Sequence, residues 1–295
     1  MRDVPDAKLN PIAPRFQDGR HVLAWDEVSF EVDARTGGRV TALRLGGHNL
    51  LTGPEIDAGN FGSTFWTSPQ SVWGWPPVPE IDHAEYRAAI EGGSIVMRSA
   101  PSASLGVAIE KRFTADRARG AVLFEYRIHN HGAAPLQTAP WQITRVAPGG
   151  LTFYPTGEGI FPPSNLIVSD APGATWYDYD RAAITDHQKH FADGREGWLA
   201  HVDGDALLVK TFPAVPRVGH APGEAQIEIY ASPAHTYVEV EAQGAYETVA
   251  PGQALTWEVV WLARRLPPEL RVGVGSAALL AYVRALVAAD AAAVR

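Results

Sequence analysis

The 295-residue sequence contains no cysteine, so neither disulfides nor thiol chemistry can contribute to its fold or function. It has no cluster of lysine and arginine, and its formal net charge is −8, which argues against nucleic acid as a partner. No uninterrupted apolar stretch approaches about 18 residues, so we expect no spanning helix and no membrane partner. These absences favour a globular protein with one large all-β domain or two smaller domains.

The first residues, MRDVPDAKLNPIAPRF, are polar and interrupted by proline, without the apolar core of a signal peptide. We therefore expect a cytoplasmic location, or a periplasmic one if a signal peptide was trimmed from the chain. Both a monomer and a homodimer are compatible with the sequence.

Short runs rich in β-branched and aromatic residues recur along the chain, each bounded by Gly, Pro, Asn or Asp. Examples are HVLAWDEVSFEVDART (21–36), GAVLFEYRIHNHG (120–132) and ALTWEVVWLARRL (254–266). This pattern is typical of antiparallel sheets, and no helical pattern of about ten residues lies between the runs. We count about 15–20 strands and predict an all-β fold class, a large antiparallel β-supersandwich.

The C-terminal residues 276–295 differ, because their apolar side chains repeat with helical spacing. Ser276 is a plausible N-cap, and one face carries Leu279, Leu280, Val283, Leu286 and Val287. We predict that residues 1–275 form one β-sandwich domain and that residues 276–295 form an amphipathic helix packed on it. A helix at a dimer interface is the alternative.

Three segments follow one another in an order known from one protein family. They are GGRVTALRLGGHNLL (37–51), GSTFWTSPQ (62–70) and YVEVEAQGAYETVAPGQALTWEVVWL (237–262). The chain thereby resembles the galactose mutarotase-like (aldose 1-epimerase-like) superfamily of β-supersandwich proteins. Gly62, Pro69 and Gln70 match a segment of its hexose-phosphate mutarotases. The tryptophan-rich form of that segment is closer to an uncharacterised bacterial branch.

The resemblance implies that Glu241 takes the place of the family's catalytic glutamate, the base that removes the proton of the anomeric hydroxyl. Glu239 shares its strand face, since side chains two residues apart in a strand point the same way. The family's acid is a histidine in a strand that here reads TAPWQITRV. Trp141, or Gln142 with a slip of one residue, stands at that position, and neither is a general acid near neutral pH.

The segment Asn60–Glu80 contains three of the nine tryptophans and four prolines. Its indole rings offer flat faces for the C–H groups of a sugar, its amides offer hydrogen bonds, and its prolines stiffen the backbone. The alternative is a proline-braced plug at the end of the sandwich. Glu158 lies between two glycines, where a ligand can approach the backbone. The predicted substrate-binding residues are Asn60, Trp66, Gln70, Trp73, Trp75, Trp141, Glu158 and Glu239, with Glu241 as the catalytic residue.

No lysine or arginine occurs from Leu45 to Tyr86, although sugar phosphates are usually bound by such cations. The expected partner is therefore a small, neutral carbohydrate, and we predict no cofactor and no metal. His187 and His190 have helical i, i+3 spacing beside Asp186 and could replace the missing acid or bind a metal. A solvated loop is the simpler interpretation of that segment.

The leading hypothesis is a carbohydrate-binding protein of the aldose epimerase-like type, able to interconvert anomers of a neutral sugar if Glu241 acts as base. The alternatives are a sugar-binding module without turnover, a structural or assembly protein, and a glycoside hydrolase or lyase. Hydrolysis would need a second carboxylate at a suitable distance across the cleft.

Overall fold

A computed structural model describes residues 11–293 of the chain. Residues 1–10 of the polar N-terminal segment and the last two residues of the predicted C-terminal helix lie outside this range. In the described range the chain forms 22 strands and two α-helices, together with three short 3₁₀ segments.

The first eleven strands are β1 (Arg15–Gln17), β2 (Arg20–Trp25), β3 (Val28–Asp33), β4 (Arg39–Leu45), β5 (His48–Asn49), β6 (Ser63–Ser68), β7 (Arg87–Glu91), β8 (Ser94–Arg98), β9 (Val107–Asp116), β10 (Ala121–Asn130) and β11 (Leu136–Val146). The others are β12 (Leu151–Tyr154), β13 (Thr156–Phe161), β14 (Ser169–Ala171), β15 (Ala174–Asp178), β16 (Gln188–Gly194), β17 (Trp198–Asp203), β18 (Ala206–Thr211), β19 (Ile227–Ala231), β20 (Val238–Gln243), β21 (Glu247–Val249) and β22 (Ala254–Arg265). The helices are α1 (Pro79–Asp82) and α2 (Ala277–Ala292).

The strands form two antiparallel sheets. The twelve-stranded sheet has the order β1-β2-β3-β4-β6-β11-β20-β19-β16-β13, with β5 added to β4 and β21 added to β11. The ten-stranded sheet has the order β14-β15-β12-β17-β18-β22-β10-β9-β8-β7. The predicted all-β sandwich is therefore confirmed. The strand count exceeds 15–20 because strands as short as β5, β14 and β21 have only two or three residues and no readable alternation.

The main hydrophobic core lies between the two sheets, where aromatic rings from both interlock. Phe30 of the first sheet contacts Phe124 of the second with ring centroids 5.5 Å apart, and Phe124 lies 4.6 Å from Trp261. Phe65 stacks on Tyr126 at 4.1 Å. These contacts fix how the first sheet, which carries the cavity described below, lies on the second.

Buried lysines also lie in this interior, and one of them connects the two sheets beneath the cavity. Lys210 of β18 donates hydrogen bonds to the hydroxyl of Thr144 at 3.0 Å and to the backbone oxygen of Val240 at 2.9 Å. Burial lowers the pKa of Lys210 to about 7, and the nearby carboxylate of Glu241 offsets that effect only in part. Val240 therefore ties β20 to the second sheet through its backbone.

Helix α2 covers the outer face of the ten-stranded sheet, where a second core forms. Leu279, Leu280 and Val283 are buried against that sheet among side chains that include Phe153 and Trp198. The hydroxyl of the N-cap Ser276 accepts a hydrogen bond from the backbone N–H of Leu279 at 3.3 Å. The predicted C-terminal helix is confirmed. Within residues 11–293, no helix is both long and apolar enough to cross a membrane.

The packing of α2 can be tested with a matched pair of valines. Val283 is fully buried, whereas Val274 just before the helix is 44% exposed. We expect Val283→Ala to lower the free energy of unfolding by about 2 kcal/mol, since it removes two buried methyl groups and leaves a cavity. Val274→Ala should change it by less than about 0.5 kcal/mol. Urea denaturation followed by tryptophan fluorescence measures both, and equal effects would contradict this packing.

Candidate functional site

Five neighbouring strands, β6, β11, β20, β19 and β16, bring together side chains that are distant in sequence. Gln142 and Thr144 point to the interior, because they contact Tyr126 and Lys210 of the second sheet. Their neighbours on β11, Trp141 and Arg145, therefore lie on the outer face of the twelve-stranded sheet.

The antiparallel register aligns this outer face across the five strands. Trp141 pairs with Trp66 on one side, and Arg145 pairs with Glu239 on the other. Further along the sheet Glu241 pairs with Glu228, while Tyr230 pairs with both Glu239 and Lys189. The outer face of the sheet therefore has an aromatic end, with Trp66 and Trp141, and a charged end, with Glu228, Glu241 and Lys189.

A cavity of about 500 Å³ lies over this surface. Ten residues line it: Asn60, Trp66, Gln70, Trp75, Trp141, His187, Lys189, Tyr230, Tyr237 and Glu239. Six of the nine residues singled out from the sequence are among them. The other three, Trp73, Glu158 and Glu241, lie elsewhere.

The aromatic wall consists of the indole rings of Trp66, Trp75 and Trp141, and the N–H groups of Trp66 and Trp141 already donate hydrogen bonds within the protein. Trp66 stands nearly perpendicular to Trp141 with centroids 5.4 Å apart, and its N–H donates to Asp82 at 2.8 Å. The N–H of Trp141 donates to Glu241 at 2.7 Å. Trp75 lies 6.2 Å from Trp66 and is 60% exposed, so its ring is the most accessible surface of this wall.

Trp73 supports the wall from behind. Its indole N–H donates to the backbone oxygen of Thr67 at 2.8 Å, and its ring lies 5.6 Å from that of Trp66. The proline-rich segment thus contributes both to the cavity lining and to the packing of the body. Trp66 and Trp75 contribute to the cavity lining, and Trp73 packs against the body.

Glu158 lies away from the cavity on β13, the edge strand beyond β16. Its side chain is exposed, and its backbone N–H donates to the carboxylate of Asp193 at 2.8 Å. The flanking glycines fit the irregular register of β13 between Thr156 and Ile160, because Asp193 closely approaches Gly157. The cavity lining does not include the glutamate, although it was expected to contact a ligand there.

Glu241 lies beneath the cavity and is completely buried. One carboxylate oxygen accepts the indole N–H of Trp141, and the other is 3.2 Å from the ammonium of Lys189. Glu239 of the same strand does line the cavity, and its carboxylate is 2.9 Å from the guanidinium of Arg145. The carboxylate that reaches the cavity is therefore the neighbour of the one assigned by resemblance.

Sequence reasoning missed Lys189, which connects the charged groups. Its ammonium lies 2.5 Å from Glu228 and 5.0 Å from the centroid of Trp141. The alternation in AQIEIYASP places Glu228 and Tyr230 on one face and was the available signal for that strand. In the sequence, Lys189 lies between His187 and His190 of the segment DHQKH, whose histidines were considered as a replacement acid or metal ligands.

Those two histidines do not share a helix, because β16 begins at Gln188. His187 lies at the cavity, 2.6 Å from the hydroxyl of Tyr230, whereas His190 is buried 2.6 Å from that of Tyr154. Burial lowers the pKa of His190 to about 4. Among residues 11–293, no group of three or more candidate ligands is arranged to hold a metal ion.

Burial dominates the protonation of the carboxylates here. It raises the pKa of Glu239 to about 7, although Arg145 opposes the change. It raises the pKa of Glu228 well above its usual range, and that of Glu224 less strongly. Burial alone would lower the pKa of Lys189, but Glu228 and Glu241 outweigh it and raise that pKa. Lys189 is therefore charged, while Glu239 titrates near neutrality.

These shifts predict how stability depends on pH. The pKa of Glu239 is about 7 in the folded state against 4.5 ordinarily, so between these values the folded protein keeps a proton that the unfolded chain releases. We therefore expect the free energy of unfolding to fall as pH rises through this window. Glu239→Gln should make the decline shallower, with the remainder due to Glu224 and Glu228.

Chemical denaturation at several pH values between 5 and 8.5 measures this slope. The control is Glu269→Gln, a change at an exposed position after β22, which should keep the wild-type slope. A slope unaffected by Glu239→Gln would show that this carboxyl does not titrate as described.

Comparison with known proteins gives two different likenesses. No family model matches the chain. In sequence, it is 28% identical over 204 residues to the membrane protein insertase YidC of Xylella fastidiosa strain M23, covering 65% of this chain and 33% of that protein. The same insertase from strain M12 is 27% identical over 204 residues. The chain thus spans about a third of the length of these curated relatives.

In structure, the chain resembles solved epimerases over most of its length. A putative aldose 1-epimerase from Escherichia coli K12 superposes with a TM-score of 0.60 at 12% identity, covering 83% of this chain and 98% of that one. Galactose 1-epimerase from Lactobacillus acidophilus superposes with a TM-score of 0.55 at 11% identity, covering 88% of this chain and 99% of that one. A putative aldose 1-epimerase from Klebsiella pneumoniae superposes with a TM-score of 0.58 at 10% identity, covering 94% of this chain and 85% of that one. At these identities the likeness concerns the fold, and the protein has the β-sandwich fold of the galactose mutarotase-like, aldose 1-epimerase proteins.

Proposed function

We propose that the protein binds a small carbohydrate in the cavity on the outer face of the twelve-stranded sheet. The observation that carries this proposal is the convergence of exposed aromatic surface and polar side chains on one concave space of about 500 Å³. Pockets for small ligands usually measure about 300–1,000 Å³. A single sugar unit, with room for part of a second, fits this size.

The lining matches the two kinds of surface that a sugar ring presents. Trp75, with its exposed ring, would stack on the C–H face, and Trp66 and Trp141 would border the ring edge. Asn60 and Gln70 offer amide groups to hydroxyls on the same side. In this proposal Glu239 accepts hydrogen bonds from hydroxyls, while Trp73 and Glu241 hold the contacting residues in place.

The ligand of this proposal carries no phosphate or carboxylate group. Lys189 is already shared by two buried glutamates, Arg145 is paired with Glu239, and the cavity wall from Asn60 to Trp75 has no cation. An added anion would therefore meet carboxylates without a free guanidinium or ammonium to bind it.

Binding without ring opening is favoured over epimerase activity. Ring opening needs a base at the anomeric hydroxyl and an acid at the ring oxygen. Glu241, the base implied by the resemblance, is buried under Trp141, and by the same resemblance Trp141 takes the position of the family's acid. Glu239, with a pKa of about 7, and His187, which also lines the cavity, are the groups that could still act in turnover.

A second candidate, a non-catalytic assembly module, is favoured by the sequence likeness to membrane protein insertases over 65% of the chain. In this alternative the cavity binds part of a polypeptide. A thermal-shift screen separates the two, because a ligand that binds only the folded state raises the melting temperature. Stabilisation by monosaccharides supports the first proposal, and stabilisation only by an unfolded test protein such as reduced α-lactalbumin supports the second.

The stacking role can be tested at Trp75. We expect Trp75→Ala to weaken the binding of a stabilising sugar by about tenfold, ~1.4 kcal/mol, because its exposed ring is the main stacking surface. The control is Phe16→Ala, since Phe16 is 65% exposed on the distant edge strand β1. Isothermal titration calorimetry measures both affinities. Unchanged affinity in Trp75→Ala would exclude this stacking.

Turnover is tested separately by NMR exchange spectroscopy on the α and β anomers of a sugar that binds. We expect anomer exchange with the wild-type protein to stay at the rate of the buffer, since the site lacks the family's acid and its base is buried. Accelerated exchange would contradict this. The variants Glu241→Gln and Glu239→Gln would then show which carboxylate acts as the base.

A further inference from the structure

The charged groups around the cavity do not balance. Four glutamates and three cations lie in or beneath it: Glu224, Glu228, Glu239, Glu241, Lys189, Arg145 and Lys210, the last on the inner side of β20 near Glu241. Glu224 belongs to this group because its carboxylate accepts the backbone N–H of Gln70 at 2.9 Å, at the cavity wall. The nearby Arg39 and Asp82 pair with each other and add no net charge. Fully ionised, and with His187 of the cavity lining counted as neutral, these groups would carry one uncompensated negative charge.

A single ammonium serves two of these glutamates. Lys189 lies 2.5 Å from Glu228 and 3.2 Å from Glu241, and both glutamates are completely buried. Within the described residues, the carboxylate oxygens that face Lys189 accept no well-aligned hydrogen bond. Their other oxygens accept hydrogen bonds, from Ala225 and Gln243 at Glu228 and from Trp141 at Glu241. Two buried carboxylates that share one ammonium hold a proton, or they attract another cation.

The aromatic lining supplies a second, independent feature that favours a cation. Two rings of the wall already make cation–π contacts. Lys189 lies 5.0 Å from the centroid of Trp141, and Arg145 lies 5.5 Å from that of Trp66. Trp75 and Tyr230 line the same cavity, and no lysine or arginine in the described part of the chain lies over either ring. The imidazole of His187 stacks on Tyr230 with centroids 5.9 Å apart, so the exposed face of Trp75 is the aromatic surface available to a cation from a ligand.

We propose that the carbohydrate bound in this cavity is an amino sugar, with its protonated amine balanced by Glu239 and packed against an exposed aromatic face. This inference rests on the proposed carbohydrate binding and narrows the class of sugar. The ammonium adds the positive charge that the four glutamates lack, and the sugar ring keeps the stacking surface of Trp75. A neutral hexose would fill the same space without changing the charge balance.

This arrangement couples the binding of an amino sugar to the release of a proton from Glu239. A cation beside Glu239 favours the ionised carboxylate, so an amino sugar that binds near pH 7 should displace a proton from the site. A neutral sugar of the same shape should displace none. Calorimetry in two buffers with different heats of ionisation measures the number of protons released.

The experiment compares glucosamine, glucose and N-acetylglucosamine, and the corresponding galactose series, on the full chain at pH 7. We expect the amine to bind at least tenfold more tightly than the neutral and N-acetylated sugars and to release part of a proton. The N-acetyl derivative has a substituent at the same position but no charge, so it isolates the effect of charge. In Glu239→Gln the preference should fall to less than threefold, while Glu269→Gln should retain it.

Glu224→Gln provides a second variant if Glu239→Gln does not fold, and it should reduce the preference in the same direction. Equal affinity for the amine and the neutral sugar would overturn the inference and leave carbohydrate binding intact. A preference for the amine without proton release, unaltered in both glutamine variants, would also overturn it. Absence of binding by every sugar would overturn the proposed function itself.

Discussion

The ammonium of Lys189, held between Glu228 and Glu241, is the interaction on which the candidate site depends. Two buried carboxylates on adjacent strands would destabilise the sheet if neither were compensated. With Lys189 between them, β16, β19 and β20 can keep their charged side chains on one face. The same ammonium lies over Trp141, so the charged floor and the aromatic wall have one group in common.

The general architecture was readable from sequence because it follows from local patterns. The alternation in segments such as 120–132 and 254–266 predicted long strands correctly, and the spacing from Leu279 to Val283 predicted α2. Strands of two or three residues were not readable, since alternation needs more positions to be recognised. The helical spacing of His187 and His190 was misleading, because two residues cannot distinguish a helix from the start of a strand.

The site was readable only in part, for a different reason. Aromatic and amide residues in 60–80 were recognised by composition, and Trp66, Gln70 and Trp75 do meet Glu239 at the cavity. Glu239 and Glu241 share one face of β20, and the neighbouring strands decide which of them reaches the cavity. Lys189 could not be assigned at all, because its partners belong to strands about 40 and 50 residues away that become neighbours only in the folded sheet.

The backbone bond from Lys210 to Val240 has a consequence for β20 as a whole. Odd-numbered side chains of this strand meet Lys189 and Arg145 on the outside, while the strand's backbone is tied to a lysine on the inside. Sliding β20 by one position would exchange its two faces and bring Glu239 and Glu241 into the apolar interior, beside a single ammonium. The charged groups on both sides of β20 thus penalise a one-residue shift of this central strand, and the lining of the cavity depends on its register.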